Sequence, residues 1–167
     1  MRIEEVAKVA GVSPALVYHH FTDRSALLMA ALQHVGDRAN LYTEPRGSTA
    51  RVMLINLLVS EVQDEAMVRT NSAAWGELRD SAIFDEALRP TLAALTERWV
   101  TDIADIVKAG HLDGSISRDV KPSVAGIRLS AIVEGLSSRW LAGLLSTRAA
   151  RGHIAESASA LLDARPR

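Results

Sequence analysis

The sequence predicts an all-α protein. Apolar residues recur at spacings of three and four along most of the 167 residues, and no segment alternates apolar and polar residues as a strand would. Gly and Pro fall between the apolar stretches, where they end one helix or begin the next. Aromatic residues make up only 4% of the chain, whereas Ala and Leu are abundant, a composition typical of helices.

The first two helices are predicted from local signals. Residues 3–10 carry one apolar stripe, which stops at Gly11, a residue suited to the left-handed conformation that ends helices. Ser13 and Pro14 then begin a second helix, because Ser caps helix N-termini and Pro favours the first helical position. This second helix ends near residue 20.

The rest of the chain predicts a loop and a series of longer helices. Pro and Gly residues at 40–48 indicate a loop. Pro90 marks the true start of one long helix and leaves 84–88 as a separate short piece. Two glycines at 110–117 indicate another turn. The further helices are expected at about residues 23–39, 49–62, 67–78, 90–109, 123–145 and 149–164.

Charge and composition exclude several classes of protein. Nineteen Lys and Arg against 20 Asp and Glu give a formal net charge of −1, so any binding to nucleic acid must come from a local patch. The chain has no cysteine, which excludes disulfides, Cys-ligated zinc and thiol nucleophiles. No apolar run approaches the ~20 residues of a membrane span, and none forms a signal peptide. A cytoplasmic protein without a membrane partner is therefore expected.

Residues 6–21 form a possible helix-turn-helix, in which the second helix can enter the major groove of DNA. Val17 and Phe21 are four residues apart and are expected to point inward, and Val12 is expected to fill the turn. Outward hydroxyl and imidazole groups suit phosphate oxygens, and outward apolar atoms suit thymine methyl groups. The outward residues are Ser13, Pro14, Ala15, Leu16, Tyr18, His19 and His20.

Periodicity and charge alone leave a second interpretation open, in which the two short helices form a corner inside a helical bundle. Charge does not separate the two interpretations, because residues 1–40 contain four basic and four acidic side chains. Arg24 is one of the basic residues, and it lies where the next helix begins, a position suited to a phosphate.

The same segment resembles the TetR family of one-component transcriptional regulators. The family pattern has Ala-Gly-Val-Ser, then Tyr-x-His-Phe, then a basic residue before a Leu-Leu pair, and several of these spacings match at once. Residues 109–119 and 134–141 also resemble the turn before, and the dimerising part of, the family's penultimate long helix. The matching residues are Ala10-Gly11-Val12-Ser13, Leu16-Val17-Tyr18-His19-His20-Phe21 and Asp23-Arg24-Ser25-Ala26-Leu27-Leu28.

The resemblance implies a helix-turn-helix DNA-binding domain at 1–44 and a ligand-binding and dimerisation domain at 45–167. It implies a homodimeric repressor that binds a palindromic operator of double-stranded DNA and is released by a small, largely apolar effector. Tyr18, His20 and Arg24 would hold phosphates. Pro14, Ala15, Leu16 and His19 would contact bases, and Ser13 belongs to the same segment that matches the family's recognition helix.

Family members usually have one more helix, often with a basic arm, before the helix that is predicted here at residue 3. We therefore expect the first helix of the family to be missing and phosphate contacts to be lost with it. The alternative function is a ligand-binding helical dimer that has lost DNA binding through N-terminal truncation. The residues expected to be partly uncovered are Ile3, Val6, Leu28 and Leu32.

Candidate residues for the ligand pocket and the dimer interface come from the middle helices and the long helix at 123–145. Each Trp could equally be a core residue, and the charged candidates could equally lie at an interface or on the surface. Trp75, Trp99 and Trp140 would together suit a quaternary ammonium ligand if they converged. The pocket candidates are Trp75, Leu78, Trp99, Ile103, Glu134 and Arg139. The interface candidates are Ala131, Gly135, Ser138 and Ala142.

No reaction is indicated, so an enzyme is not expected. The sequence lacks a Walker loop, a dinucleotide fingerprint, an HExxH motif and a nucleophile elbow. His19 and His20 are adjacent and cannot share a helix face as metal ligands would. Nearby carboxylates, such as Glu61 with Asp64, are expected to be solvated. No metal and no cofactor are therefore predicted.

Overall fold

The computed structural model describes residues 2–39, 41–43 and 46–163, and every regular element in them is a helix. The all-α prediction is confirmed. The elements in chain order are α1 (Ile3–Ala10), α2 (Pro14–His20), α3 (Arg24–Ala39), α4 (Ala50–Ser60), α5 (Ala66–Ser81), a short 3-10 helix (Glu86–Leu88), α6 (Arg89–Asp113), α7 (Pro122–Leu141) and α8 (Thr147–Leu162).

Local capping chemistry explains most of the boundaries near the N-terminus. Gly11 follows α1 with φ of 69°, in the left-handed region that glycine adopts without strain. The Ser13 hydroxyl accepts a hydrogen bond from the Leu16 amide at 3.2 Å, so α2 begins where the sequence predicts. Thr49 caps α4 in the same way through the Val52 amide.

Several helix boundaries differ from the prediction by two residues or more. Helix α4 ends at Ser60 rather than near residue 62, and α5 continues to Ser81 rather than ending near residue 78. Helix α6 continues through Gly110 to Asp113, because Gly110 lies against Ile116 and its conformation stays helical. Helix α7 ends at Leu141 rather than near residue 145, and Gly143 follows it with φ of 74°. Helix α8 begins at Thr147, two residues before the predicted start, and its predicted last residue lies outside the described residues.

The apolar side chains of the described residues form three clusters, and α3 and α6 each contribute to two of them. The largest cluster joins α4, α6, α7 and α8 around residues such as Leu54, Ile103 and Trp140. The second packs Leu28 and Leu32 of α3 against α5, the 3-10 helix and α6. The third, between α1 and α2, consists of Ile3, Ala7 and Val17, with Phe21 and Leu27 packed against it. Helix α3 therefore contacts both the N-terminal helices and the rest of the molecule.

Four apolar residues near the N-terminus were expected to be partly exposed, and this expectation is wrong for three of them. Ile3 is buried against Val17, and Leu28 and Leu32 are buried because α5 and the 3-10 helix cover that side of α3. Val6 is partly exposed, as predicted. The exposed apolar surface of α1 is instead centred on Val9, which is 90% exposed.

Helix α7 lies so close to α6 that only glycine fits at position 126. A Cβ atom on Gly126 would lie 2.5 Å from the carbonyl oxygen of Val100, and a backbone atom cannot move aside as a flexible side chain can. We expect Gly126→Ala to lower the free energy of unfolding by about 1–3 kcal/mol, despite the higher helix propensity of Ala.

Gly76→Ala is the matched control for this measurement. Gly76 also lies inside a helix, but a Cβ there would have no atom within 4 Å, so the substitution is expected to be neutral or to stabilise by up to about 1 kcal/mol. Urea unfolding of both variants at one protein concentration tests the difference. Equal free energies of unfolding for the two variants would contradict the close approach of α6 and α7.

No helix among the described residues is long and apolar enough to cross a membrane. The same residues include no group of three or more His, Asp or Glu side chains placed to hold a metal ion.

Candidate DNA-binding surface and ligand cavity

Helix α2 presents one continuous exposed surface. Val17 alone faces inward, and it packs against Ile3 and Ala7 of α1. Leu16 is 42% and Tyr18 is 52% exposed, so both can reach a partner molecule. Every residue predicted to contact DNA is exposed: Ser13, Pro14, Ala15, Leu16, Tyr18, His19, His20 and Arg24.

The turn between α1 and α2 differs in one detail from the prediction. Val12 does not fill the turn but is 38% exposed, because the turn is closed by its backbone amide, which donates to the Ala7 carbonyl at 3.0 Å. The Val12 side chain thus adds an apolar group to the exposed surface beside α2.

Arg24 lies where the N-terminal helices meet the rest of the molecule. Its Nη1 atom is 4.0 Å from Oδ2 of Asp85, and the same carboxylate oxygen accepts a hydrogen bond from the Ser25 hydroxyl at 2.9 Å. Asp85 also caps the 3-10 helix through the Ala87 amide. Asp85 is not among the predicted site residues, although its position before Glu86–Leu88 carries the signal of an N-cap.

A cavity of about 330 Å³ lies between α3, α5, α6 and α7, within the usual range for small-molecule sites. Val35, Gly36 and Ala39, at the end of α3, form one wall together with Tyr42 and Thr43, which follow it. The opposite walls come from the other three helices. Among the predicted pocket residues, Trp75, Trp99 and Glu134 line this cavity.

The other three predicted pocket residues lie elsewhere. Leu78 is buried against α3, and Ile103 lies in the largest apolar cluster, because each faces away from the cavity on its own helix. Arg139 is exposed near the end of α7. Trp140 is only 2% exposed and packs under the Arg69 guanidinium, whose central carbon is 4.6 Å from the ring centroid. The three tryptophans therefore do not converge, and only Trp75 and Trp99 line the cavity.

The Glu134 carboxylate forms polar contacts with two other side chains that line the cavity. Its Oε1 atom accepts a hydrogen bond from Trp75 Nε1 at 3.4 Å, and its Oε2 atom lies 3.7 Å from Nη1 of Arg79. Arg79 also pairs with Asp80 at 3.2 Å. One guanidinium therefore offsets two of the carboxylates that line the cavity.

Glu61 is another carboxylate that lines the cavity, and it was expected to be solvated. It follows α4 directly and lines the cavity near Tyr42. Burial raises the pKa of Glu61 to about 7. Burial, with a smaller contribution from the Glu61 charge, raises the pKa of Tyr42 to about 12. No sequence signal marks Glu61 as a cavity residue, because the end of a helix does not by itself show what covers it.

Comparison with known proteins identifies the family of both parts of the chain. Residues 49–164 match the family model described as the BetI-type transcriptional repressor, C-terminal. Residues 1–31 match the model for bacterial regulatory proteins of the tetR family. The chain belongs to the TetR family. It is a transcriptional regulator with a BetI-type C-terminal region.

Individual TetR-family proteins agree with this assignment. The HTH-type transcriptional regulator BetI of Paraburkholderia phymatum is 28% identical over 154 residues, which cover 86% of this chain and 71% of that protein. A TetR-family regulator from Rhodococcus sp. has a crystal structure with a TM-score of 0.88 and 44% identity, covering 98% of this chain and 88% of that one.

A transcriptional regulator from Saccharomonospora viridis shares the fold at lower identity. Its crystal structure is a complex with choline, and the two chains superpose with a TM-score of 0.76 at 22% identity, over 93% of this chain and 83% of that one. This chain therefore shares its fold with a protein whose crystal structure contains a bound small molecule.

In this TetR-family chain the predicted dimer residues lie on one exposed side of α7. Neighbouring apolar residues on the same helix, Val124 and Ile127, are also exposed. A Cβ on Gly135 would meet no atom within 4 Å, so the surface there is open. The exposed small residues are Ala131, Gly135, Ser138 and Ala142. Their part in a dimer stays a prediction.

Proposed function

We propose that this TetR-family regulator represses transcription as a homodimer, which binds a palindromic operator and releases it when a small molecule occupies the cavity. The observation that supports this most directly is the position of α3. The N-terminal end of this helix carries Arg24, and its C-terminal end forms a wall of the cavity. A ligand in the cavity would therefore contact the same rigid element that positions the DNA-binding surface.

Several contacts connect α3 to the helices around the cavity. Asn71 of α5 donates from Nδ2 to the Val35 carbonyl at 3.1 Å and to the Tyr42 hydroxyl at 2.9 Å. Asp37 lies 3.6 Å from Arg98 of α6. A ligand that presses on these contacts would move the end of α3 relative to α5 and α6.

Release of DNA requires that the ligand prefer one arrangement of the helices over the other. A ligand can shift such an equilibrium only by its difference in affinity for the two states. In this proposal the ligand prefers the state in which the two α2 helices of the dimer are too far apart for successive major grooves. Operator binding and ligand binding then weaken each other by the same factor.

The exposed side of α7 is the observation that supports a homodimer. Small residues along one side of a helix allow close approach of a second helix, and the exposed Val124 and Ile127 add apolar area. A two-fold axis beside α7 would present two copies of α2 to DNA. The choline complex of the Saccharomonospora viridis regulator supports a small-molecule effector for a chain of this fold.

The operator experiment uses fluorescence anisotropy with labelled DNA from the region flanking the chain's own gene. We expect specific binding that weakens steeply with salt, because phosphate contacts release counterions. Replacing a proposed phosphate contact, as in His20→Ala, should weaken binding about tenfold, the size of one good contact. His34→Ala is the matched control, since His34 is exposed on α3 and is not a proposed DNA contact.

Equal affinity for the flanking DNA and a scrambled duplex would overturn the repressor proposal. If the protein were then still dimeric and bound a small molecule, the second function, a ligand-binding dimer without DNA binding, would describe it. If His20→Ala and His34→Ala weakened DNA binding equally, the proposal that α2 forms the DNA-binding surface would be contradicted.

A further inference from the structure

We propose that Asp85 competes with DNA phosphates for Arg24, and that this carboxylate limits how tightly the protein binds DNA. The inference rests on the proposed function, because it takes Arg24 as a phosphate contact. It adds a residue outside the N-terminal helices to the DNA-binding site and gives that residue an inhibitory role.

The Asp85 carboxylate is fixed in position by two hydrogen bonds. Its Oδ2 atom accepts from the Ser25 hydroxyl at 2.9 Å, and its Oδ1 atom accepts from the Ala87 amide at 3.1 Å. The side chain is only 22% exposed, so its charge is screened less than that of a fully exposed carboxylate. Asp85 therefore presents a stationary negative charge beside the first turn of α3.

Arg24 is close to this charge but is not hydrogen-bonded to it. Its Nη1 atom lies 4.0 Å from Oδ2 of Asp85, which is an ion-pair distance and too long for a hydrogen bond. Half of the Arg24 side chain is exposed, so the guanidinium can turn towards a phosphate. A guanidinium binds phosphate best through two parallel hydrogen bonds, and attraction to Asp85 opposes that arrangement. The carboxylate also repels the phosphate directly.

The turn that carries Asp85 is joined to the end of α5 by hydrogen bonds. The Asp85 amide donates to the Ser81 carbonyl at 3.0 Å, and Arg89 donates from Nε to the Ala82 carbonyl at 3.2 Å. Helix α5 also forms a wall of the cavity. A shift of α5 relative to α3 would therefore change the distance between Asp85 and Arg24. The strength of the competition thus depends on a helix that a molecule in the cavity would contact.

The opposite role for Asp85 would be to hold Arg24 in the orientation that binds phosphate. Such positioning needs a directed contact, whereas the Asp85 carboxylate makes its hydrogen bonds to Ser25 and Ala87 and lies 4.0 Å from the guanidinium. The geometry therefore favours competition. The two roles predict opposite effects, because removing a positioning residue weakens DNA binding and removing a competitor strengthens it.

The experiment measures the affinity of the full chain for two labelled duplexes at low salt, one from the DNA flanking its gene and one of scrambled sequence. Asp85→Asn keeps an oxygen that can accept from the Ala87 amide but removes the charge. We expect this variant to bind both duplexes about three- to tenfold more tightly than the parent protein, because Arg24 is released and a repulsive charge is lost. The gain should shrink as the salt concentration rises, since charges are then screened.

Glu86→Gln is the matched control, because it removes the same charge one residue away. The Glu86 side chain is largely exposed and pairs with Arg89 at 2.9 Å. We expect this variant to change DNA affinity by less than about twofold. Arg24→Ala tests whether Asp85 acts through Arg24, because in that background Asp85→Asn should change the affinity no more than Glu86→Gln does. Thermal unfolding confirms that all variants are folded.

An unchanged or lower affinity of Asp85→Asn for both duplexes would overturn the inference, and so would a gain that persists undiminished beside Arg24→Ala. Absence of binding to either duplex by any variant would overturn the inference and the proposed function together. Phosphate contacts do not depend on sequence, so the two duplexes separate the two proposals. A gain without preference for the flanking duplex supports the inference and contradicts the repressor, whereas such a preference without a gain has the reverse meaning.

Discussion

Trp140→Ala is expected to lower the free energy of unfolding by about 3–5 kcal/mol, the usual cost of removing a fully buried Trp. Trp140 is 2% exposed in the cluster that joins α4, α6, α7 and α8, so the cavity left behind would open at the centre of the larger part of the molecule. A loss of this size is a large fraction of the stability of an ordinary domain. Guanidinium unfolding, monitored by circular dichroism at a fixed protein concentration, measures it.

Trp140→Phe separates the volume of the ring from its hydrogen bond. The indole Nε1 of Trp140 donates to the Thr147 hydroxyl at 2.9 Å, and Thr147 in turn donates to Asp64. Phe keeps most of the buried area but removes the indole N–H, so we expect a loss of about 1–2 kcal/mol. If Trp140→Ala lowers the free energy of unfolding no more than Trp140→Phe does, the Trp140 ring is not packed in the cluster that joins α4, α6, α7 and α8.

The stability of the protein should fall between pH 4.5 and about 7 by up to about 3 kcal/mol because of Glu61 alone. The native pKa of Glu61, about 7, is above its ordinary value of 4.5. In that window the folded protein keeps a proton that the unfolded chain has released, so rising pH favours the unfolded state. Above the native pKa the cost is fully present and no longer changes, and water in the cavity would reduce its size.

Glu61→Gln isolates this contribution from that of every other titrating group. We expect the variant to be more stable than the parent protein at pH 8 and similar to it at pH 4.5. The measurement is the difference in free energy of unfolding between the two proteins at several pH values. Parallel curves would show that Glu61 is solvated, as the sequence alone suggested.

The short N-terminal helices were predictable because their signals are local. Gly11 and Ser13 act on their own backbone neighbours, so the boundaries of α1 and α2 follow from residues that are adjacent in sequence. The end of α7 was not predictable in the same way. Its apolar pattern continues beyond Leu141, and Gly143 gave a weaker signal than that pattern.

The cavity was predictable only in part, because it depends on contacts between distant residues. Trp75 and Trp99, which are predicted from their chemistry, lie in the walls, whereas Leu78 and Ile103 are on the same helices but face the apolar clusters. Periodicity shows which residues share a face of a helix and does not show what that face meets. Glu61 was missed for the same reason.

The packing of α3 decides whether the N-terminal helices can fold without the rest of the chain. A fragment ending at Thr43 would expose the α3 side chains that α5 and the 3-10 helix now cover, including Leu28 and Leu32. Such a fragment would lack most of the apolar contacts of its longest helix and would not be an autonomous folding unit. A recognition helix transplanted from a relative should therefore be exchanged within the turn and α2, leaving α3 and its partner Asp85 as the native scaffold.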